Sequence, residues 1–162
     1  MKLNFIISII LLVSAVIVNG ANDEQHFDRL AYYNVLASES LDSVNAELGV
    51  ISKSSFSNKD AFEGTLLMRK AGLVLNPVNK LSLFKSGRRK LESAINLENK
   101  NAELRFLRLM IQENLPVILG YRKHIEEDNK LIHSAYQSLP TLVQKVIAEY
   151  SKKSKVLKPG LS

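Results

Sequence analysis

Two arginines in the segment 102–113 have a setting that suggests chemistry, because they interrupt an otherwise apolar run. Arginine is seldom fully buried in a protein unless an anion pairs with it. One interpretation is that carboxylates of the same chain supply that anion, from Glu92, Glu103 or Asp128. The other is an anion clamp that lines a pocket, and its candidate residues are Arg105, Arg108, Gln112 and Tyr121.

The second candidate site is a run of positive charge. Between Glu63 and Glu92 the sequence holds seven basic residues and no acidic one. If exposed, they would form a patch for an anionic partner, such as a phosphate-bearing lipid, an anionic glycan or an acidic protein. Alternatively, they face the acidic first helix within the fold or form only a solvated surface. The contact residues expected for a partner are Arg69, Lys85, Arg88, Arg89 and Lys90.

Other chemistry has little support in the sequence. The chain has no cysteine, which excludes disulfides, thiolate metal ligands and cysteine nucleophiles. His124 lies three and four residues before Glu127 and Asp128, a spacing that predicts a surface pair, because one helical turn rarely completes a metal site. No nucleophile elbow, phosphate-binding glycine loop or zinc-protease motif is present. We therefore expect no catalytic residue, cofactor or metal, and an enzyme is the least supported class.

The first 20 residues have the pattern of a secretory signal. Lys2 precedes a largely apolar stretch at residues 5–18, and the segment ends in Val18-Asn19-Gly20. A membrane-spanning helix needs about 20 apolar residues, so this stretch is short for one. We expect cleavage after Gly20 and a protein that is periplasmic or secreted, with an uncleaved membrane anchor as the alternative. Contact with a membrane is then expected only through this segment if it is retained.

The rest of the chain has the apolar spacing of helices. Predicted helices cover about 23–48, 61–74, 80–97, 102–113, 122–138 and 140–150. The helix at 102–113 is apolar around most of its circumference, so we expect it to lie centrally, with Leu104, Leu107, Met110 and Ile111 among the most buried residues. No segment alternates like a strand, so the predicted fold class is all-α, with about six helices arranged as antiparallel hairpins. With 162 residues, 46% of them hydrophobic, the chain has the size of one domain. We assign 21–150 to a single helical domain and 151–162 to a basic flexible tail.

One stretch resembles a known repeat. Gly87-x3-Leu91-x2-Ala94, followed by Asn-Leu-Glu-Asn-Lys-Asn-Ala-Glu-Leu-Arg, resembles the second helix of a tetratricopeptide repeat and the turn into the next repeat. In that family, small residues at the positions of Gly87 and Ala94 let paired helices approach, and the residue at Leu91 fills the groove. The resemblance covers about residues 80–113, has Asn99 where the repeat usually has proline, and shows no second copy at a period of about 34 residues.

The chain is also similar to uncharacterised small exported bacterial helical proteins. The similarity rests on the pattern Asn-x-Glu-x-Arg-Phe-x-Arg at residues 101–108, followed by Pro116 and Tyr121. Both resemblances imply helical hairpins, with tetratricopeptide-like packing in the first case, and neither implies an activity.

These observations favour an exported, non-enzymatic interaction or scaffold domain that presents a groove or a basic face. Its partner would be a protein or an anionic component of the cell envelope. Nucleic acid is not expected, because the chain is predicted to be exported and few aromatic residues lie among the basic ones. The alternative is a small ligand-binding protein or hydrolase with the four-residue pocket given above. An open pocket would favour the alternative, and closure by internal carboxylates would favour the interaction domain.

Overall fold

The computed structural model describes residues 27–158, and all regular secondary structure in that part of the chain is helical. The α-helices are α1 Arg29–Ala37, α2 Leu41–Lys53, α3 Lys59–Leu73, α4 Pro77–Leu97, α5 Ala102–Asn114, α6 Ile125–Ala135 and α7 Thr141–Ser151, with 3-10 turns at Val117–Leu119 and Tyr136–Ser138. The all-α prediction is confirmed. The expected signal segment 1–20 lies outside the described residues.

The first predicted helix, 23–48, is in fact two helices. The chain is extended at Ser38, and the Ser40 hydroxyl caps α2 by accepting a hydrogen bond from the Ser43 N–H. Serine favours such a cap over a helix interior because its side chain competes for backbone groups. The break also changes the buried face of α1, where Tyr32 is fully buried and Leu30 is half exposed.

Asparagine caps set the beginnings of the two helices that carry the candidate sites. The Asn76 side chain accepts hydrogen bonds from the N–H groups of Val78 and Asn79, and Pro77 occupies the first position of α4. Proline suits that position because its missing N–H has no partner in the first turn of a helix. As a result, α4 begins three residues before the predicted start at residue 80. Asn101 caps α5 in the same way.

The α3–α4 hairpin is held together by direct backbone contact. A Cβ atom added to Gly64 would lie 2.6 Å from the carbonyl oxygen of Gly87, and one added to Gly87 would collide with the carbonyl oxygen of Gly64 and lie 2.8 Å from Cγ of Met68. Both positions therefore require glycine if the helices are to keep this separation. Residue 87, where the repeat-like pattern predicts a small side chain, is thus glycine because α3 and α4 touch at this point.

The middle of the fold is α5, as its apolar composition predicts. Leu104, Phe106, Leu107 and Leu109 are almost completely buried, although Met110, which was also expected in the core, is only partly buried. Within residues 27–158, no helix combines the length and apolar character needed to cross a membrane.

The segment 151–158, predicted as the start of a flexible tail, is packed against the domain. Ser151 is the last residue of α7, and the side chain of Leu157 is fully buried. One apolar anchor and the polar contacts described below pack these residues against the domain. Residues 159–162 lie outside the described part, and the flexibility of the tail 151–162 stays a prediction.

Replacing Gly87 with Ala tests the hairpin contact. Alanine favours a helix over glycine by about 1 kcal/mol, but an added methyl group in a rigid contact costs about 1–3 kcal/mol or more. Since the obstacle here is backbone, we expect a net loss of at least about 1 kcal/mol in the free energy of unfolding, measured by urea denaturation. Gly49→Ala is the matched control, because a Cβ there has no atom within 4 Å. A Gly87→Ala protein as stable as the control would contradict the contact.

Candidate functional site

Arg108 of α5 makes the most buried ion pair among the described residues. Its Nε donates to Oδ2 of Asp128 at 2.7 Å, and its Nη2 donates to Oδ1 at 2.7 Å. Its Nη1 donates to Oε2 of Glu92 at 2.8 Å. Burial opposes the charge of this guanidinium, but hydrogen bonds to Asp128 and the charges of both carboxylates outweigh it and raise the pKa of Arg108.

Arg105, one turn earlier on α5, shares the same carboxylate. Its Nη1 lies 3.0 Å from Oδ1 of Asp128 and 3.0 Å from Oε1 of Glu127, and its Nε donates to the carbonyl oxygen of Asn99 at 2.9 Å. Asp128 is completely buried between the two arginines. Of the internal carboxylates considered from the sequence, Glu92 and Asp128 are partners, whereas Glu103 binds Arg29 and Tyr33 instead.

Tyr121 extends this network to α4. Its hydroxyl donates to Oε1 of Glu92 at 2.5 Å, and its ring lies edge-to-face with Phe84 at 5.8 Å between centroids. Burial, together with the hydrogen bond to Glu92, raises the pKa of the phenol well above its ordinary value. The tyrosine therefore stays neutral, and Glu92 joins it to Arg108.

Gln112 is the fourth predicted pocket residue, and it does not join the network. Its side chain is fully buried, and neither its amide nitrogen nor its amide oxygen has a hydrogen-bond partner among the described residues. The other three candidates do come together, but internal carboxylates occupy their donors. The arrangement is a closed structural cluster, which is the outcome that favours the interaction domain.

The five residues of the predicted basic patch have two different environments in the structure. Arg69 points to the α1–α2 turn, where its guanidinium donates to the carbonyl oxygen of Ser38. Lys90 binds α3, with Nζ 2.7 Å from Oδ1 of Asp60 and 3.2 Å from Oε2 of Glu63. The hydrogen bond to Asp60 is the main cause of the raised pKa of Lys90. Groups of the same chain therefore bind both of these cations.

The remaining three, Lys85, Arg88 and Arg89, are exposed on the outer side of α4. The guanidinium carbon of Arg88 lies 4.6 Å from the centroid of the Tyr121 ring, a cation–π contact. None of the three takes part in an ion pair within the described part of the chain. We call these three residues the α4 basic face.

A further polar cluster, absent from the sequence-based predictions, centres on Glu113. Its carboxylate accepts hydrogen bonds from the Tyr150 hydroxyl at 2.9 Å, the Ser154 hydroxyl at 2.7 Å and the Lys155 N–H at 2.5 Å. Burial alone would raise the pKa of Glu113, but these hydrogen bonds outweigh it and lower the pKa. A cavity of about 350 Å³ next to the cluster is also lined by Arg122. Local sequence patterns could not indicate this cluster, because Glu113 lies 37, 41 and 42 residues before its three partners.

Metal binding has no support in the geometry. Among residues 27–158, no three histidine, aspartate or glutamate side chains are grouped so that they could hold a metal ion. His124 and Glu127 form the exposed pair that their spacing predicts, with Nδ1 3.1 Å from Oε2.

Replacing Asp128 with Asn tests the buried network. The change leaves the guanidinium of Arg108 buried with only Glu92 as a charged partner, and breaking a buried pair in this way costs about 3–5 kcal/mol. Glu127→Gln is the matched control, because that carboxylate is exposed and such pairs contribute about 0–1 kcal/mol. Chemical denaturation of both variants measures the difference. A loss below about 1 kcal/mol for Asp128→Asn would mean that the network does not hold α5 to α6.

Replacing Glu113 with Gln tests how the C-terminal segment is held. Because folding lowers the pKa of Glu113 from its ordinary value of 4.5, the ionised form stabilises the fold. This contribution is complete above that value and is lost as the pH falls through the lower, folded value. At neutral pH we expect faster amide hydrogen exchange at residues 154–157 in the variant. The difference between the two proteins should shrink below about pH 4.5, and equal exchange rates at neutral pH would contradict the assignment.

No protein-family model, curated protein or solved structure matches this chain. The tetratricopeptide-like resemblance of residues 80–113 and the similarity to exported bacterial proteins therefore stay predictions, and the function is inferred from the geometry above.

Proposed function

We propose that this chain is an exported, non-enzymatic interaction domain that binds an anionic partner through the α4 basic face. The single observation that carries the proposal is that Lys85, Arg88 and Arg89 are exposed together on one side of α4 and form no ion pair with a carboxylate of residues 27–158. A cluster of like charges without counter-charges repels itself and attracts anions from solution.

The nearest carboxylate in the sequence is already engaged elsewhere. Glu92 follows Arg88 by four residues and Arg89 by three, which is the spacing at which a helix normally forms ion pairs. In this fold Glu92 binds Arg108 and Tyr121 instead. Glu92 therefore cannot neutralise the α4 basic face, because it is bound in the interior. This supports binding of an external anion by that face.

Contacts with the rest of the domain hold the helix that carries this face and one of its three side chains. The Tyr121 ring holds Arg88 from one side, and the contact between Gly64 and Gly87 fixes α4 against α3. A partner that binds prepositioned side chains loses less conformational entropy on association than one that must order them.

The charge of the whole chain is consistent with this role. Residues 21–64 carry a net charge of −5, and residues 65–162 carry +10. The α4 basic face belongs to the positive part, so an anionic partner would be attracted to that part over a distance of about 10 Å at 0.1 M salt.

The alternative function has less support. A ligand-binding protein or hydrolase built around Arg105, Arg108, Gln112 and Tyr121 would need free donors in an open pocket. The two arginines are instead almost fully buried against Asp128, and two cavities in the described part of the chain are lined by other residues.

Salt-dependent retention on immobilised dextran sulfate, a soluble polyanion fixed to beads, tests the proposal. We expect the double variant Lys85→Gln/Arg89→Gln to elute at clearly lower salt than the unmodified chain, because each removed charge weakens binding to an anionic polymer. Arg88 is left in place, since changing it would also remove the contact with Tyr121.

The control variant is Lys130→Gln/Lys145→Gln, which removes the same charge from exposed positions on α6 and α7. Its elution should stay close to that of the unmodified chain, and thermal midpoints should show that both variants are folded. If both double variants elute at equally lowered salt, retention depends only on net charge, and the assignment of binding to the α4 basic face is wrong.

A further inference from the structure

Arg122 is an arginine that is partly removed from water without an anion of its own. It lies between the 3-10 turn that follows α5 and the beginning of α6, and it is partly buried. The buried arginines of α5, Arg105 and Arg108, are bound by carboxylates of the same chain. Arg122 forms no ion pair within residues 27–158. Because a guanidinium group that loses water normally gains an anionic partner, an external anion can fill this role.

The cavity of about 350 Å³ beside the Glu113 cluster brings Arg122 together with two more cations. Lys153 and Lys155, in the segment after α7, line the same cavity, and neither forms an ion pair within the described residues. The other lining residues are uncharged except Glu113. Three cations and one carboxylate give the cavity a net charge of +2.

Glu113 does not neutralise these cations by direct pairing. Its carboxylate accepts hydrogen bonds from the hydroxyl groups of Tyr150 and Ser154 and from the backbone N–H of Lys155. These bonds attach the segment after α7 to the end of α5. The two lysines on either side of Ser154 are therefore held at the border of the cavity, while the carboxylate that holds them is occupied by other donors.

The charge and the size of the cavity indicate the kind of anion that fits. A phosphate monoester carries about −1.5 to −2 charges at neutral pH and has three acceptor oxygens on one compact group. Such a group matches three cations and a net charge of +2, and a guanidinium group binds phosphate through two parallel N–H bonds. Small-molecule sites usually enclose about 300–1,000 Å³. A cavity of about 350 Å³ is therefore suited to a compact ester.

We infer that this cavity is a binding site for a small soluble phosphate monoester. Arg122, Lys153 and Lys155 bind the phosphate oxygens, and the organic part of the ester occupies the rest of the cavity. No residue of the α4 basic face lines the cavity. The site is thus additional to the proposed function and does not rest on it.

Nuclear magnetic resonance of the full chain tests the inference, with glycerol 3-phosphate as the probe. The backbone amide signals of residues 113, 114, 122 and 153–155 should shift during a titration in about 0.1 M salt, with a Kd on the order of 1 mM or lower. Dimethyl phosphate is a diester with a single charge. It should bind at least about five-fold more weakly, because it offers one charge instead of two to a positive site.

Two double variants assign the binding to these cations. Arg122→Gln/Lys153→Gln should raise the Kd for glycerol 3-phosphate by about ten-fold or more, since each change removes a charge-assisted hydrogen bond. The matched control Lys130→Gln/Lys145→Gln removes the same charge from exposed positions outside the cavity, and it should change the Kd by less than about two-fold. Thermal midpoints show whether the variants are folded. If Arg122→Gln/Lys153→Gln does not fold, Lys153→Gln alone should still raise the Kd by at least about three-fold.

Several results would overturn the inference. One is the absence of amide shifts around the cavity at about 10 mM ester. Another is an equal rise in Kd for both double variants, which would mean that the ester responds only to net charge. Shifts with vesicles that contain phosphatidic acid, but none with the soluble ester, would assign these cations to a membrane surface instead of a small-molecule site.

A purely structural role of the cations gives a different pattern. Cations stabilise the C-terminal end of a helix, and the last residues of α5 and α7 lie at this cavity. If that is their whole role, Arg122→Gln/Lys153→Gln lowers the thermal midpoint while the unmodified chain binds no ester, and the inference is wrong.

Discussion

The sharing of one buried carboxylate by two arginines is the interaction on which this fold depends. Asp128 lies between Arg105 and Arg108 without exposure to solvent. Removing three charges from water costs several kcal/mol for each ion, and the cost is offset only where the hydrogen-bond geometry is good. The position of α6 on α5 is therefore restricted to the one that lets a single carboxylate serve both guanidinium groups.

This restriction determines which charges of α4 have internal partners and which remain exposed. With Asp128 between the arginines, the third donor of Arg108 takes Glu92 from α4, and Tyr121 binds the other oxygen of that carboxylate. Arg88 then rests on the Tyr121 ring, and the one acidic residue of α4, Glu92, forms no ion pair with Lys85 or Arg89. The exposed basic face is thus a consequence of how the interior is neutralised, as well as of the sequence of α4.

The sequence predicted those features that depend on local spacing. The helical class, the central place of α5 and the internal partners Glu92 and Asp128 follow from apolar periodicity and from the rule that buried arginine needs an anion. The break at Ser38 was missed because apolar spacing continues across it. The division of the basic run was also missed, since only the crossing of α3 and α4 places Lys90 beside Asp60 and Glu63. The packing of Leu157 depends on Glu113, some 40 residues away, and no local pattern reports such a contact.

An apolar core of similar volume would often be as stable as a buried ion network, or more so, so stability alone does not account for this one. We infer that its role is positional. Sliding α6 by one turn would leave two guanidinium groups buried without their carboxylate, whereas a shifted apolar contact would cost far less. The same network holds Tyr121, and the ring of Tyr121 contacts the guanidinium group of Arg88. A closed cluster in the interior therefore fixes the position of one cation of the exposed basic face.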